Sequence, residues 1–115
     1  MMAGDEVLNE FIGSETFHEQ LMVDGRKLLL TEGCHFVRET YSAYWLFDLI
    51  GSYQFKLIDE PFQVWKLVKF KDECQITCED GNGTRLVSQG IPFTDFPYDI
   101  SIWHIEGTCL LPSEY

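Results

Sequence analysis

The chain has 115 residues, 45% of them hydrophobic and 15% aromatic, enough for one sizeable core. With 19 acidic against 8 basic side chains, its formal net charge is −11. That field repels nucleic acid and anionic membranes, so neither is an expected partner. A membrane span is excluded too, because Asp48 and Lys56 interrupt the longest apolar run. The acidic start MMAGDEVLNE has neither the basic nor the apolar region of a signal peptide, which points to a cytoplasmic chain.

In chain order, Asp5 to Phe11 reads as a short N-terminal helix with acids in its first turn, ended by Gly13. Thr16 to Val23 fits a strand or a helical turn. Asp24-Gly25 signals a turn, and Lys27 to Thr31 a strand. Glu32-Gly33 reads as a hairpin corner, with Cys34 to Tyr41 returning as the partner strand.

The stretch AYWLFDLIGSYQ then sets the main helix, 42–58, with Ser42 as its N-cap and Pro61 as its limit. Leu46, Phe47, Leu49, Ile50, Tyr53 and Leu57 share one face. Tyr44, Trp45 and Phe55 fall on the other, beside Asp48, Ser52 and Lys56. Strands follow at Phe62–Phe70, Glu73–Glu79 and Thr84–Phe93, the last two joined by the turn Asp80-Gly81-Asn82-Gly83. Thr94 to Pro97 reads as a loop or one helical turn. Asp99–Glu106 is a strand with Ile100, Ile102 and His104 on one side and Ser101, Trp103 and Ile105 on the other. Gly107 turns the chain, and Cys109 to Pro112 adds a last short strand. These elements make a single α+β domain over 1–115: an antiparallel sheet of about five or six strands, with the main helix packed on one face.

The stretches AYWLFDLIGSYQ at 43–54, FQVWKL at 62–67, IPFTDFP at 91–97 and LLPSEY at 110–115 together carry a resemblance. The chain resembles an uncharacterised family of small bacterial proteins, also met in phages and mobile elements, described as a domain of unknown function. The resemblance implies no reaction, cofactor or catalytic residue. It does imply that the chain is a complete protein ending at LPSEY.

Chemistry-bearing clusters are few. Cys74 and Cys78, spaced C-x3-C, could join Cys34, Cys109, His18, His35 or His104 at a metal, but a Cys-Ile-Cys strand face reads as core and no metal is expected. A cytoplasmic location disfavours disulfides. Cys109 lies near His104, yet proximity in sequence does not make a nucleophile and base. The Asp80 turn lacks the rest of a calcium loop, and there is no glycine-rich phosphate loop.

The expectation is a small, acidic, non-enzymatic protein without a cofactor that binds a basic protein surface. Acid is concentrated at both ends of the chain, and an acidic surface speeds encounter with proteins that normally hold nucleic acid. In its sharpest form this is a phage or mobile-element inhibitor of a host nucleic-acid-directed defence system, an anti-CRISPR-like mimic. Glu15, Glu19, Asp95, Asp99 and Glu106 are the expected acidic contacts, and Tyr44, Trp45 and Trp103 the aromatic anchors. Two alternatives stand beside it: a small-molecule binder or enzyme with a pocket between helix and sheet, and a structural protein that homodimerises through its aromatics.

Overall fold

The computed structural model describes residues 16–22 and 24–115. The expected helix at Asp5–Phe11 lies outside them. Among the described residues the fold is α+β, with a seven-stranded mixed sheet and two helices. The strands are β1 His18–Leu21, β2 Lys27–Leu30, β3 Phe62–Phe70, β4 Glu73–Asp80, β5 Arg85–Ile91, β6 Ile100–Ile105 and β7 Thr108–Leu110. Their order across the sheet is β1-β2-β7-β6-β3-β4-β5. Every pairing is antiparallel except β2 with β7, where Leu29 faces Thr108 and Leu30 faces Cys109.

That parallel pair corrects the expected all-antiparallel sheet, and it follows from a second correction. Cys34–Tyr41 is not a hairpin strand: Glu32–Thr40 is helix α1. Thr31 caps it, its Oγ1 accepting from the Cys34 N–H at 3.4 Å. Glu32 stands in the first turn, where a negative charge suits the helix dipole. The segment buries Gly33, Cys34, Val37 and Arg38, a helical spacing, whereas a strand would have buried alternate residues. With α1 leading away from β2, the strand beside β2 has to come from elsewhere, and the chain's end supplies it as β7.

Helix α2, Tyr44–Ser52, is shorter than the expected 42–58, and the chain continues through turns to residue 59. Ser42 is not its cap. That residue sits at φ 51 between the helices, and Ala43 takes the cap position without a side-chain bond. The apolar face is as the wheel predicts: Leu46, Phe47 and Ile50 are buried, Leu57 beyond the helix is buried as well, and Leu49 and Tyr53 pack partly against the core.

Both helices contact β2, and their buried side chains join those of one sheet face in a single core. The alternation of β3, β4 and β6 delivers Gln63, Trp65 and Leu67, then Cys74, Ile76 and Cys78, then Ile100, Ile102 and His104 to that face. The β6–β7 turn places both Glu106 (φ 48) and Gly107 (φ 92) at positive φ, the geometry that matches a tight hairpin to strand twist.

Two residues of the stretches quoted above form a buried polar lock. Gln63 is fully buried, and its Oε1 accepts from Trp65 Nε1 and Gln54 Nε2, each at 2.9 Å. Its own Nε2 donates to Gln54 Oε1 at 2.8 Å and to the Glu60 carbonyl at 3.0 Å. The amide pair thus ties the end of α2 to the sheet centre. Gln63→Leu leaves the buried indole N–H without its acceptor and takes two bonds from the half-buried Gln54 amide. It is expected to cost about 2 kcal/mol in urea unfolding, while Lys66→Ala on the opposite face changes stability by no more than about 0.5 kcal/mol.

Candidate partner-binding face

Among the described residues both α-helices occupy one side of the sheet, so the strand residues between the buried ones point to a side on which no described α-helix packs. Cross-strand register arranges them in rows. Leu29, Thr108, Ile105 and Phe62 make one row. Trp103, Val64 and Glu79 make the next, with the buried Leu110 at its β7 end, followed by Ser101, Lys66, Thr77 and Ser88. Val68 and Phe70 continue the face along β3, and Leu21 continues it on β1.

Two ring contacts run across this face: Phe62 to Trp103 and Trp103 to Tyr115, each with centroids 5.3 Å apart. Trp103 is half-buried between them, while Phe70 is 69% and Tyr115 78% exposed. A one-sided antiparallel sheet normally turns polar residues outward. Here the outward side carries aliphatic and aromatic groups on strand after strand, and contiguous apolar surface of this kind marks an interaction site. Four of its charged members pair with one another: Lys66 with Glu79 at 3.6 Å and Lys27 with Glu19 at 3.3 Å.

The expected contacts divide between the two sides of the sheet. Trp103 lies at the centre of the open face. Glu19 stands on the edge strand of that face, and Asp99 and Glu106 flank the two ends of β6. Asp99 also accepts from the Lys69 N–H at 2.7 Å, which pins that end. Asp95 is exposed in the loop between β5 and β6. Tyr44 and Trp45 belong to the helical side, so they cannot share a flat partner surface with Trp103. Trp45 packs partly against the core. Glu15 lies outside the described residues. Tyr98 is half-buried and stacks edge-on against Tyr41 and Phe96, with centroids 5.3 Å apart in both pairs. Phe62, Val64, Val68, Phe70 and Tyr115 were not among the expected contacts, although the period-2 alternation of β3 was the signal that could have found the first four.

Tyr44 is held by a polar cluster on the helical side. Arg38, only 7% exposed, lies 4.9 Å from the Tyr44 ring centroid and donates to the Glu19 carbonyl at 2.9 Å and to Gln20 Oε1 at 3.1 Å. Gln20 donates on to Asp48 at 2.8 Å, and the Tyr44 hydroxyl donates to Glu39. That bond raises the Tyr44 pKa, and together with Arg38 it lowers that of Glu39. His18 and His35 stack with centroids 3.6 Å apart. Burial first, then the neighbouring His18 and Arg38, pushes the His35 pKa down. These bonds seat edge strand β1 on both helices, and each polar group has a structural partner.

All four cysteines are free and buried. Among the described residues no group of three or more His, Cys, Asp or Glu is placed to hold a metal ion. Cys109 and His104 do face each other across β6 and β7. Burial, however, pushes the Cys109 thiol far above its ordinary range and holds His104 down to about 4. A protonated thiol beside a weakly basic imidazole is a poor nucleophile pair. No helix among the described residues is long and apolar enough to cross a membrane.

Residues 3–115 match the model of a family described as Family of unknown function (DUF6876). The chain belongs to that family. No curated protein and no solved structure matches it. For this DUF6876 member the geometry of its own side chains is therefore the ground on which function is argued.

Proposed function

We propose that this chain is a small non-enzymatic interaction protein that docks a protein partner on the open face of its sheet. The observation that carries the reading is the pair of adjacent rows holding Phe62 with Ile105 and Val64 with Trp103, Tyr115 beside them, apolar and without a covering α-helix among the described residues. A half-buried tryptophan ringed by aliphatic and aromatic neighbours has the makeup of an interface hot spot. Glu19, Asp99 and Glu106 at its borders supply a polar rim. The net charge of −11 favours a basic partner and disfavours a direct nucleic-acid ligand. The sharper form, an inhibitor of a nucleic-acid-directed defence complex, rests on that charge and on small size, and proteins of that kind are the partners to try first.

The test uses Val64→Asp/Trp103→Asp, which charges the open face and leaves the opposite core untouched. Purified basic nucleic-acid-binding proteins are titrated against wild type and variant by calorimetry. A partner bound by wild type is expected to lose at least about 30-fold in affinity to the double variant, the scale of one hot spot. Charge reversal at Glu19, Asp99 and Glu106 should weaken binding less and flatten its salt dependence. Equal binding by wild type and the double variant would remove the face from the reading. A mass that doubles with concentration in wild type and not in the variant would make the occupant a second copy of the chain.

A further inference from the structure

A second site lies on the other side of the sheet, within the helical layer. A cleft of about 530 Å³ opens between the β1–β2 hairpin, the end of α2 and the turn at Glu60-Pro61. Its volume falls in the range of small-molecule sites. Met22, Leu28, Leu57 and Pro61 give it apolar walls, and His104 lines it from the sheet.

His104 is the unusual member. It is 5% exposed, and among the described residues neither Nδ1 nor Nε2 meets a hydrogen-bond partner on another residue, a contact to its own main chain being all the ring has. Buried polar groups are almost always bonded, because an unmet donor or acceptor in a dry site costs about 1–3 kcal/mol. Nearby residues show the contrast: Gln63, the cross-strand neighbour of His104, has its amide fully satisfied. An imidazole left unmet at the wall of an apolar cleft is a group whose partner arrives from outside.

We propose that this cleft binds a small uncharged molecule, mostly apolar, whose single hydroxyl or ring N–H pairs with His104. Three features set the class. Neutral imidazole offers one donor and one acceptor, so it matches a hydroxyl and does not attract a net charge. The mouth carries two cations, Arg26 and Lys27, and two anions, Glu60 and Glu106, so no sign of ligand charge is favoured. Both cations are already engaged: Arg26 by Asp24 at 2.6 Å and Lys27 by Glu19 at 3.3 Å. The ring nitrogens are sealed from bulk water, and His104 shares the lining of the cleft with Met22. A Cβ built on Gly51 would lie 2.3 Å from its Cε and 2.6 Å from its Sδ, so this glycine makes room for a long, unbranched side chain that repacks readily.

The experiment follows the His104 ring nitrogens by long-range 1H–15N spectra of the whole wild-type protein. Phenol is the probe, with toluene as its isostere lacking the hydroxyl. Phenol is expected to shift the His104 nitrogen signals saturably and to bind about 5- to 10-fold more tightly than toluene, the worth of one hydrogen bond. In His104→Phe that preference should disappear. The wild-type ring signals stand independently of the variant's folding. The site is refuted if phenol leaves the His104 signals unmoved, if toluene binds as well as phenol, or if His104→Phe keeps the preference. Because neither Val64 nor Trp103 lines the cleft, Val64→Asp/Trp103→Asp should leave phenol binding intact.

Discussion

Glu114→Ala is expected to lower the unfolding free energy by about 3 kcal/mol, a loss out of scale for the penultimate residue of a chain. Glu114 is 7% exposed, and its carboxylate takes three hydrogen bonds. The Thr31 hydroxyl donates to Oε1 at 2.5 Å, the Leu111 N–H to Oε1 at 2.9 Å and the Gly33 N–H to Oε2 at 3.0 Å. Gly33 lies in the first turn of α1, where backbone donors have no partner within the helix. The carboxylate therefore caps a helix from the far end of the chain, and its charge suits the positive end of the helix dipole. Truncation leaves these donors buried and unmet, and such losses cost more than the net worth of the bonds themselves.

Three companion variants separate the cap from mere packing. Glu114→Gln keeps one acceptor oxygen but turns an NH2 donor toward backbone donors, so it should recover less than half of the loss. Gly33→Ala attacks the same contact from the other side, since its Cβ would fall 2.6 Å from Glu114 Oε1 and from Leu111 Cδ1. Tyr115→Ala, at an exposed ring, should cost no more than about 1 kcal/mol. Guanidinium unfolding of the four variants decides the matter. A loss below about 1 kcal/mol for Glu114→Ala, or equal losses for Glu114→Ala and Tyr115→Ala, would mean that the C-terminus does not lock α1.

This contact explains why part of the fold was not legible in the sequence. LLPSEY stood out as a motif, but its partner is 81 residues away at Gly33, and no local pattern links the two. The same distance hid the parallel β2–β7 pair. The Glu32-Gly33 dipeptide looked like a hairpin corner because glycine after a short apolar strand usually is one. In fact Thr31-Glu32-Gly33 is a helix start, and its glycine is required by the approach of Glu114. Local periodicity did better where one face is buried and the other is not. The strands at β3, β4, β5 and β6 and the turns at Asp24-Gly25, Asp80-Gly83 and Gly107 fall where alternation and turn chemistry place them.

The aromatic excess was legible, but its location was not. Tyr44 and Phe55 are exposed on the helical side as the wheel implies. Trp103 sits on the other side of the sheet, beside a β3 surface whose apolar character was visible as crowding on both sides of that strand. Sequence reveals which residues alternate. Which of the two faces receives the helices depends on how the whole chain packs.

The second large effect is a pH dependence carried by His104. Burial holds its folded-state pKa at about 4, below the ordinary 6.5, with a contact to its own main chain offsetting this only in part. The unfolded chain therefore binds a proton that the native chain excludes between these two values. Stability is full above pH 6.5, falls as pH drops through the window, and takes no further loss from this group below about 4. The integrated effect is roughly 3 kcal/mol. His35 titrates in the same direction, and the depressed carboxyl of Glu39 adds a loss as pH falls further, so the wild-type curve is a composite. The difference between wild type and His104→Phe isolates the one group, because the other titrations are common to both. At pH 7 the variant should be at least as stable as wild type, since it removes two unmet polar atoms from a dry site. At pH 4 it should exceed wild type by roughly a further 3 kcal/mol in urea unfolding. Parallel curves for the two proteins from pH 7 to pH 4 would show that His104 is bonded or hydrated in solution, and would weaken the cleft proposal along with it. A widening gap that phenol narrows at pH 7, by raising wild-type stability more than the variant's, would tie the unmet imidazole to its missing partner.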